Sequence, residues 1–415
     1  MTTEVSELFR LGRGRVISGI EIANNPGNYP VYSSQTKNDG CMGYLSSYDF
    51  EGELITWTTD GANAGTVFYR SGKFNCTNVC GTIEAKDKEV TNTKFFSYLL
   101  GTLTKRHVSY IGNPKLMNGV MAKIKVHYPD FKHQSAIAKI LDTLDITIRQ
   151  TEAIITKLQQ VKQGLLHDLL TRGIDANGQL RLPVEQAPHL YKESPLGWIP
   201  REWEVVTLGE VAKRSNGLLQ TGPFGSQLHA HDYVTEGVPV IMPQDMVDGL
   251  LSEAQIARIS ERKANVLSRH RVKENDVVFS RRGDLSRCVA IPTEKNGWLC
   301  GTGCLLARFS PKEINGYWLS LVYQQPQLQT QVMGRAVGST MANLNTSILS
   351  ELVIGRSSID EQNEIARQVN AANQRLTEEN RKLRKLHKQK SALMDDLLTG
   401  RVRVASLLAQ VDASS

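Results

Sequence analysis

The sequence predicts an α+β protein: two tandem globular domains separated by two long helices that form an antiparallel coiled coil, with a pseudo-twofold arrangement. Three observations predict this class: a long internal repeat, a sustained heptad pattern inside it, and short β-type runs ahead of each copy. The predicted segments are a first globular domain (1–133), a long helix (134–172), a connector (173–203), a second globular domain (204–357), a second long helix (358–404) and a C-terminal tail (405–415).

Length and composition are those of an ordinary globular protein. The chain has 415 residues, of which 40% are hydrophobic and 22% charged, so it can bury more than one core. No run of 18 apolar residues occurs, and the first 20 residues lack a signal-peptide pattern, so we expect a cytoplasmic protein with no membrane partner. The net charge of +7 favours a polyanionic partner only weakly.

The repeat joins residues 134–171 to residues 362–399 without a gap. Eleven of the 38 aligned positions are identical, among them Gln134/Gln362 and the Asp-Leu-Leu-Thr that ends each copy. Weaker echoes precede it in the same order, including two Cys-x₃-Cys pairs, Cys76/Cys80 and Cys300/Cys304. A tandem duplication explains matches that keep their order along the chain.

Within each copy, apolar residues recur in steps of four and three, which is the heptad pattern of a coiled coil. A helix of about 38 residues is about 57 Å long, and its apolar stripe needs a partner. We expect the two helices to pair with each other; two helices that pack separately on their own domains are the alternative. The apolar seam residues are Ile137, Leu141, Leu144, Ile148, Ile155, Leu158, Leu165, Leu169, Ile365, Val369, Ala372, Leu376, Leu383, Leu386, Leu393 and Leu397.

The regions before the helices contain short β-type runs separated by turn residues. Helical patterns are predicted over Lys94–Thr104 and Tyr317–Met333, which gives each domain an α+β character. Segment 173–203 carries several prolines and the turn Asn177-Gly178, so we interpret it as a connector and not as a domain. The β-type runs include Leu54–Trp57, Thr66–Tyr69, Val277–Phe279 and Cys304–Arg308.

Polar and basic residues collect in the predicted loops of both domains. Arg and Lys bind phosphates or guanine edges, and Asn and Gln suit adenine edges, so the collection is a candidate DNA-binding set. A merely solvated loop is the alternative for each single residue. The candidates are Gln35, Lys37, Asn63, Arg70, Lys105, Arg106, Asn113, Lys115, Gln244, Arg269, Arg271, Arg281, Arg282, Arg287, Arg335 and Asn343. The basic run 381–390 on the second helix is a solvated face, or else a surface for phosphates or an acidic partner.

Motifs for catalysis are missing. No phosphate-binding loop and no dinucleotide-binding glycine motif occurs, and Asn113-Pro114-Lys115 is not the Asn-Pro-Pro-aromatic motif of an amino-methyltransferase. His229 and His231 could bind a metal, but a surface turn explains them better. The cysteines are expected to be free buried thiols, with a shared zinc as the alternative. We therefore expect a non-catalytic chain with no metal or cofactor of its own.

Several segments resemble the specificity subunits of type I restriction–modification enzymes. The similar segments are Leu196–Trp203, Leu208-Gly209, Gly222–Ser226, Asp276–Ser280, Ile140–Asp142 and Gly164–Thr171. The resemblance covers nearly the whole chain. The sequence departs from the family pattern at the entries to the helices, 128–134 and 356–362, and the first unit has no counterpart of Gly197–Pro200.

The resemblance implies that each globular domain is a target-recognition domain that reads one half of a split double-stranded DNA target. The helices would set the spacing and dock two modification (methyltransferase) subunits. Those subunits would carry S-adenosylmethionine and methylate adenine, while restriction (motor-nuclease) subunits would use ATP and Mg to cleave DNA. A stand-alone coiled-coil DNA-binding regulator and a structural coiled-coil adaptor are the alternatives.

Overall fold

A computed structural model describes residues 2–336 and 342–404, so the predicted tail 405–415 lies outside the described residues. Its contacts divide the chain into two units, the first from Met1–Ile155 and Glu379–Ser415 and the second from Thr156–Glu378. Each long helix contributes residues to both units. Mixed helix and sheet content in both units confirms the predicted α+β class.

The first unit is built on two four-stranded sheets with strand orders β2-β9-β6-β7 and β4-β3-β8-β5, and on the pair β1-β10. Pairing is antiparallel except between β3 and β8. The strands are β1 (Thr2–Glu4), β2 (Phe9–Arg13), β3 (Tyr29–Tyr32), β4 (Cys41–Leu45), β5 (Phe50–Glu51), β6 (Leu54–Thr58), β7 (Val67–Arg70), β8 (Lys73–Cys76), β9 (Cys80–Ala85) and β10 (Lys125–His127). The helices that begin here are α1 (Val5–Leu8), α2 (Gly19–Asn24), α3 (Thr93–Leu103), α4 (Asn118–Ala122) and α5 (Phe131–Thr171).

The second unit repeats this plan. Its sheets have strand orders β14-β23-β20-β21 and β15-β19-β16-β22, with β16 and β22 parallel, and β13 pairs with β24 as β1 does with β10. The strands are β11 (Tyr191–Ser194), β12 (Gly197–Pro200), β13 (Glu204–Thr207), β14 (Leu218–Thr221), β15 (Tyr233–Val234), β16 (Val238–Ile241), β17 (Met246–Val247), β18 (Leu250–Leu251), β19 (Ala257–Ile259), β20 (Val277–Ser280), β21 (Cys288–Ala290), β22 (Leu299–Cys300), β23 (Cys304–Arg308) and β24 (Val353–Arg356). The helices that begin here are α6 (Leu208–Arg214), α7 (Glu261–Val266), α8 (Gly316–Tyr323), α9 (Pro326–Ala336), α10 (Thr346–Ser350) and α11 (Ile359–Leu398).

The main sheet of each unit packs its buried face against a short helix. In the first unit, Trp57 on β6 is fully buried and its indole N–H donates to the carbonyl of Leu116 at 2.9 Å. A side chain on Gly81 would lie 2.2 Å from the Trp57 ring, so the large residue requires glycine on the neighbouring strand β9. In the second unit the equivalent cross-strand pair is Phe279 and Leu305, which fills the same layer with two medium-sized residues.

Each long helix is attached to its unit by a buried glutamine. The Gln134 amide donates to the carbonyls of Val90 and Pro129, and its oxygen accepts from the backbone N–H of Asn92 at 2.9 Å. Asn92 in turn caps the N-terminus of α3. Gln362 makes the corresponding bonds in the second unit, where its oxygen accepts from the N–H of Asn315, the cap of α8.

The long helices pair in an antiparallel manner within each unit. In the first unit, the carboxylate of Asp145 on α5 lies 2.5 Å from the ammonium of Lys390 on α11. Glu152, seven residues later on α5, lies 3.9 Å from His387, which is three residues earlier on α11, so the two helices run in opposite directions. In the second unit, Leu169 near the end of α5 shares a core with Ile365 and Val369 near the start of α11. All sixteen apolar seam residues are buried or half-buried.

One sequence-based interpretation of the secondary structure needs correction. The segment predicted as one helix over Tyr317–Met333 is two helices, α8 and α9, because Pro326 lacks an N–H and disfavours helical geometry in the residue before it. The segment interpreted as a connector is structured: β11 and β12 form a hairpin, and Ile174, Ile199 and Trp203 are buried.

The connector is held by a buried ion pair. The guanidinium of Arg181 lies 2.5 Å from the carboxylate of Glu361, which also accepts from the Trp203 indole N–H and the Ile174 backbone N–H. These bonds fix the position of the start of α11 against segment 173–203, and removal of either partner of the ion pair would leave a buried charge unpaired.

Candidate nucleic-acid interface

Three loops of the first unit meet at one end of the main sheet. They are the β6–β7 loop, the β8–β9 turn and the segment before Leu116. The backbone N–H of Thr59 donates to the carbonyl of Val79 at 2.9 Å, and Thr59 accepts from the N–H of Leu116 at 2.9 Å. We call this arrangement the loop junction of the first unit.

The second unit has the same loop junction. There the N–H of Arg281 donates to the carbonyl of Gly303 at 2.8 Å, and Arg281 accepts from the N–H of Leu344 at 3.0 Å. A glycine allows a further loop to approach each junction: a side chain on Gly14 would lie 2.1 Å from the Cys76 carbonyl oxygen, and one on Gly222 would lie 2.0 Å from that of Gly301. The duplication therefore extends to the detailed backbone geometry of this site.

In the first unit the junction presents a mixed polar surface around Asp60. Its carboxylate accepts from the Asn113 amide at 3.2 Å and lies within 4.0 Å of Lys115 and Arg13. The exposed side chains of Asn63, Lys105 and Arg106 stand on neighbouring segments, since Gly65 contacts Thr104. The structure thus brings together Asn63, Lys105, Arg106, Asn113 and Lys115, five of the predicted residues.

In the second unit the junction is richer in arginine. The guanidinium of Arg281 donates to the Asn343 side-chain oxygen at 3.1 Å, and Arg282 forms a backbone bridge with Asn343 and is exposed. Arg287 pairs with Asp284 at 3.2 Å and donates to the carbonyl of Pro243, next to the exposed Gln244. A hydrogen bond from Ser286 and the nearby Arg287 lower the pKa of Asp284, so this carboxylate is ionised.

Gln35, Lys37 and Arg70 lie elsewhere in the first unit. Arg70 pairs with Leu54 at the end of the β6–β7 hairpin opposite the junction, and it stands in a strand, not in a loop as predicted. Its side chain is 2% exposed, bonded to Asp39 at 2.7 Å and stacked 3.5 Å from the centre of the Tyr32 ring. Arg70 therefore holds the β3–β4 loop in place.

The remaining candidates of the second unit have local partners. Arg271 donates to Glu261, Asn265 and the carbonyl of Gly297, so its guanidinium is engaged in bonds within the second unit. Arg269 is exposed, and its carbonyl accepts from Gln220. Arg335 lies in α9, not in a loop as predicted, and is 3.9 Å from Glu351.

Several residues at the two junctions were not predicted from the sequence. Arg13 and Asp60 belong to the first junction, and the exposed apolar side chains of Tyr110, Ile111 and Phe224 stand on neighbouring loops. The position of Arg13 could have been predicted from the sequence. Arg13 immediately precedes Gly14, and the alignment of Gly14 with Gly222 would have placed Arg13 beside the turn after β8.

The histidines at 229 and 231 have a structural explanation. Their rings stack with centroids 5.2 Å apart, and Asp232 accepts from the His229 backbone N–H and pairs with Lys263 at 3.0 Å. Over residues 2–336 and 342–404, no group of three or more His, Cys, Asp or Glu side chains could hold a metal ion. No helix in the same ranges is long and apolar enough to cross a membrane. All six cysteines are buried free thiols, and burial raises the pKa of Cys288 to about 12.

Comparison with known proteins gives consistent matches. The family described as type I restriction modification DNA specificity domain matches residues 1–160 and 200–387. A Mycoplasma pneumoniae protein named as the N-terminus of type I specificity subunit S.MpnORF289P is 47% identical over 143 residues, 34% of this chain and 76% of that protein. A second protein of that organism, named as type I specificity subunit S.MpnORF507P, is 30% identical over 269 residues, 65% of this chain and 66% of that protein.

Among solved structures, the crystal structure of a type I restriction-modification S subunit from M. genitalium has the same fold. The TM-score is 0.65 at 16% sequence identity, and the alignment covers 96% of this chain and 95% of the other. At this identity the match concerns the fold alone.

Proposed function

This chain belongs to the family of type I restriction–modification specificity subunits, and from that premise we propose that it reads a bipartite double-stranded DNA target, with one half-site for each unit. The modification and restriction subunits of the system would bind S-adenosylmethionine, ATP and Mg, and they would catalyse adenine methylation and DNA cleavage. This chain would bind and orient the DNA.

The recurrence of the loop junction is the observation that carries the proposal. Both junctions use the same backbone bonds, and both present cationic and amide side chains. Lysine and arginine bind phosphates, and arginine and asparagine can also form paired hydrogen bonds to guanine and adenine edges. The junctions differ in side chains, with Asp60 and Lys115 in one and Arg281 and Arg282 in the other, so two different half-sites are expected.

The long helices are proposed to dock two modification subunits and to set the gap between the half-sites. Arg381, Lys382 and Lys385 on α11 are exposed, and so are Ile146 and Ile154 on α5. Helices that expose both charged and aliphatic side chains are suited to a protein partner. Two half-sites about one helical turn apart, about 34 Å, face the same side of the duplex.

The test is genome-wide detection of methylated adenine in a methylation-free host that expresses this chain with its modification subunit. We expect a two-part motif with a fixed gap. Matched control cells express the modification subunit alone and should show no such motif. A soluble, assembled complex that methylates no site would contradict the proposal. Tight sequence-specific binding by the chain without partners would then favour a stand-alone regulator.

A further inference from the structure

A short loop beside the first junction exposes two large apolar side chains. Ile111 is 93% exposed, the highest value for any large apolar side chain in the described ranges, and its neighbour Tyr110 is 70% exposed. Such exposure of adjacent apolar residues is typical of a surface that is covered by a partner.

The base of this loop is firmly held. Ser109 and Lys115 exchange two backbone hydrogen bonds of 2.9 Å, and the carbonyl of Pro114 accepts from the N–H of Gly61 at 3.0 Å. Val108 and Leu116, which flank the loop, are buried in the core of the unit. Gly112 has a φ of +74°, which permits the tight turn at the tip. With both ends fixed, Tyr110 and Ile111 project from the junction.

The surroundings of the two side chains are cationic and polar, not apolar. Lys115 and Asn113 lie on the same loop, and Arg13 approaches the same carboxylate of Asp60 as they do. Exposed Lys105 and Arg106 precede the loop in the chain. Proteins that bend DNA combine these two features: apolar side chains that enter between base pairs, and nearby cations that bind the flanking phosphates.

We propose that Tyr110 and Ile111 form a wedge that enters one base step of the half-site read by the first unit and bends the DNA there. The inference rests on the proposed function, because it requires that the first junction faces DNA. Ile111 partly unstacks the step and Tyr110 packs against an exposed base. Sequences whose steps unstack easily are then preferred at a position that makes no hydrogen bond to the protein.

The loop of the second unit that ends at Leu344 has no equivalent wedge in its sequence. Leu116 and Leu344 occupy equivalent places, since each donates its N–H to the matching loop of its junction. Counting back from these leucines aligns Tyr110 with Gly338 and Ile111 with Ser339. A bend made by this loop should therefore occur in the first unit's half-site only.

The experiment uses the complex of this chain with its modification subunits and the target found by methylation mapping. 2-Aminopurine, which fluoresces when unstacked, replaces single bases in each half-site, and dyes at the duplex ends report bending by energy transfer. The adenine that becomes methylated is left unchanged, because extrusion of that base would give the same signal. Each duplex is tested with the unaltered complex, with Ile111→Ala and with Tyr110→Ala.

We expect a several-fold rise in fluorescence at one step of the first unit's half-site, and no rise that depends on Ile111 in the other half-site. Ile111→Ala should abolish the rise, reduce the bend and weaken specific binding roughly tenfold. Ile111→Leu should retain both signals. Ile20→Ala is the matched control, because Ile20 is an isoleucine of the same unit that is 74% exposed. A mismatch placed at the affected step should restore binding by Ile111→Ala, because the unstacking cost is then already met.

Normal binding and bending with Ile111→Ala, or an Ile111-dependent rise in both half-sites, would overturn the wedge while leaving the proposed function intact. If Ile111→Ala instead weakens only the binding of modification subunits, the two side chains form a protein interface and the inference is wrong. If the unaltered complex fails to bind its DNA at all, the proposed function itself has failed.

Discussion

At position 270 the fold holds a histidine in its neutral form. The His270 side chain is 1% exposed, and its Nε2 atom accepts from the guanidinium of Arg269 at 3.1 Å. Burial lowers the pKa of His270, and the positive charge of Arg269 lowers it further. Protonation of His270 would place a second positive charge in a buried site beside the guanidinium of Arg269, unless this part of the chain opens locally.

This position predicts a pH dependence of stability. Because the folded pKa lies below the unfolded value of about 6.5, the unfolded chain binds more protons in this range. The free energy of unfolding should fall as the pH drops below 6.5, by up to about 1.4 kcal/mol per pH unit. His270→Gln, which does not titrate, should remove that part of the slope. Urea unfolding of both proteins between pH 7.5 and 5.5 measures it, and parallel curves would contradict the prediction.

Individual polar residues are also where the sequence was least informative. Nothing in the local sequence distinguishes Arg70 from Arg282. The side chain of Arg70 is 2% exposed and packs on Tyr32 and Asp39, whereas Arg282 is exposed at a loop junction. Which arginine is buried depends on the packing of strands that are distant in the chain. Glu361 is similar, since its partner Arg181 is 180 positions away. No local pattern contains that information.

At the scale of elements, the two buried glutamines join each long helix to the globular part of its unit. Gln134 is fully buried and makes three hydrogen bonds, two to carbonyl groups and one to the N–H of Asn92. Because Asn92 caps α3, the loss of Gln134 would loosen α3 and α5 together. Gln362 holds the same place between α8 and α11.

We expect Gln134→Ala to destabilise the first unit by about 3 kcal/mol, because it leaves buried backbone groups without partners. Gln362→Ala should have the same effect on the second unit. Hydrogen exchange, which resolves amides by position, should show faster exchange in α3 for the first variant and in α8 for the second. Gln150→Ala is the control, as Gln150 is exposed on α5. Equal changes in both units for either variant would contradict the local role.

Helices and strands were largely predictable because their signals are local and periodic. The heptad steps placed α5 and α11 within a few residues, and the β-type runs at Leu54, Val277 and Cys304 are strands. The helix break was visible in the sequence as Pro326, which the prediction of a single helix over Tyr317–Met333 left out of account. The hairpin of β11 and β12 was hidden by prolines that usually indicate an irregular connector.

At the scale of the whole molecule, the duplication gives two units with one backbone plan and different surfaces. The junction residues Lys115 and Asn343 occupy equivalent places but offer different chemistry, an ammonium and an amide. The duplication of the helices was evident in the sequence, because the residues at the seam positions of a coiled coil must remain mostly apolar. The repeat of the junctions was faint, because loop side chains diverge while their backbone hydrogen bonds persist.

This plan leads to a prediction about exchange of a recognition region. Replacing residues 1–133 by the corresponding region of another family member should change one half of the methylated motif and leave the other half and the gap unchanged. The reason is that the seam of α5 stays in place, while the first junction, including Asp60, Lys115 and Ile111, is replaced as a block. Methylation mapping of cells that carry the exchanged chain measures the outcome. Replacing 204–357 is the reciprocal control and should change the other half. A change in both halves from either exchange would mean that the half-sites are not read by separate units, and an altered gap would mean that the spacing is set by the recognition regions and not by the helices.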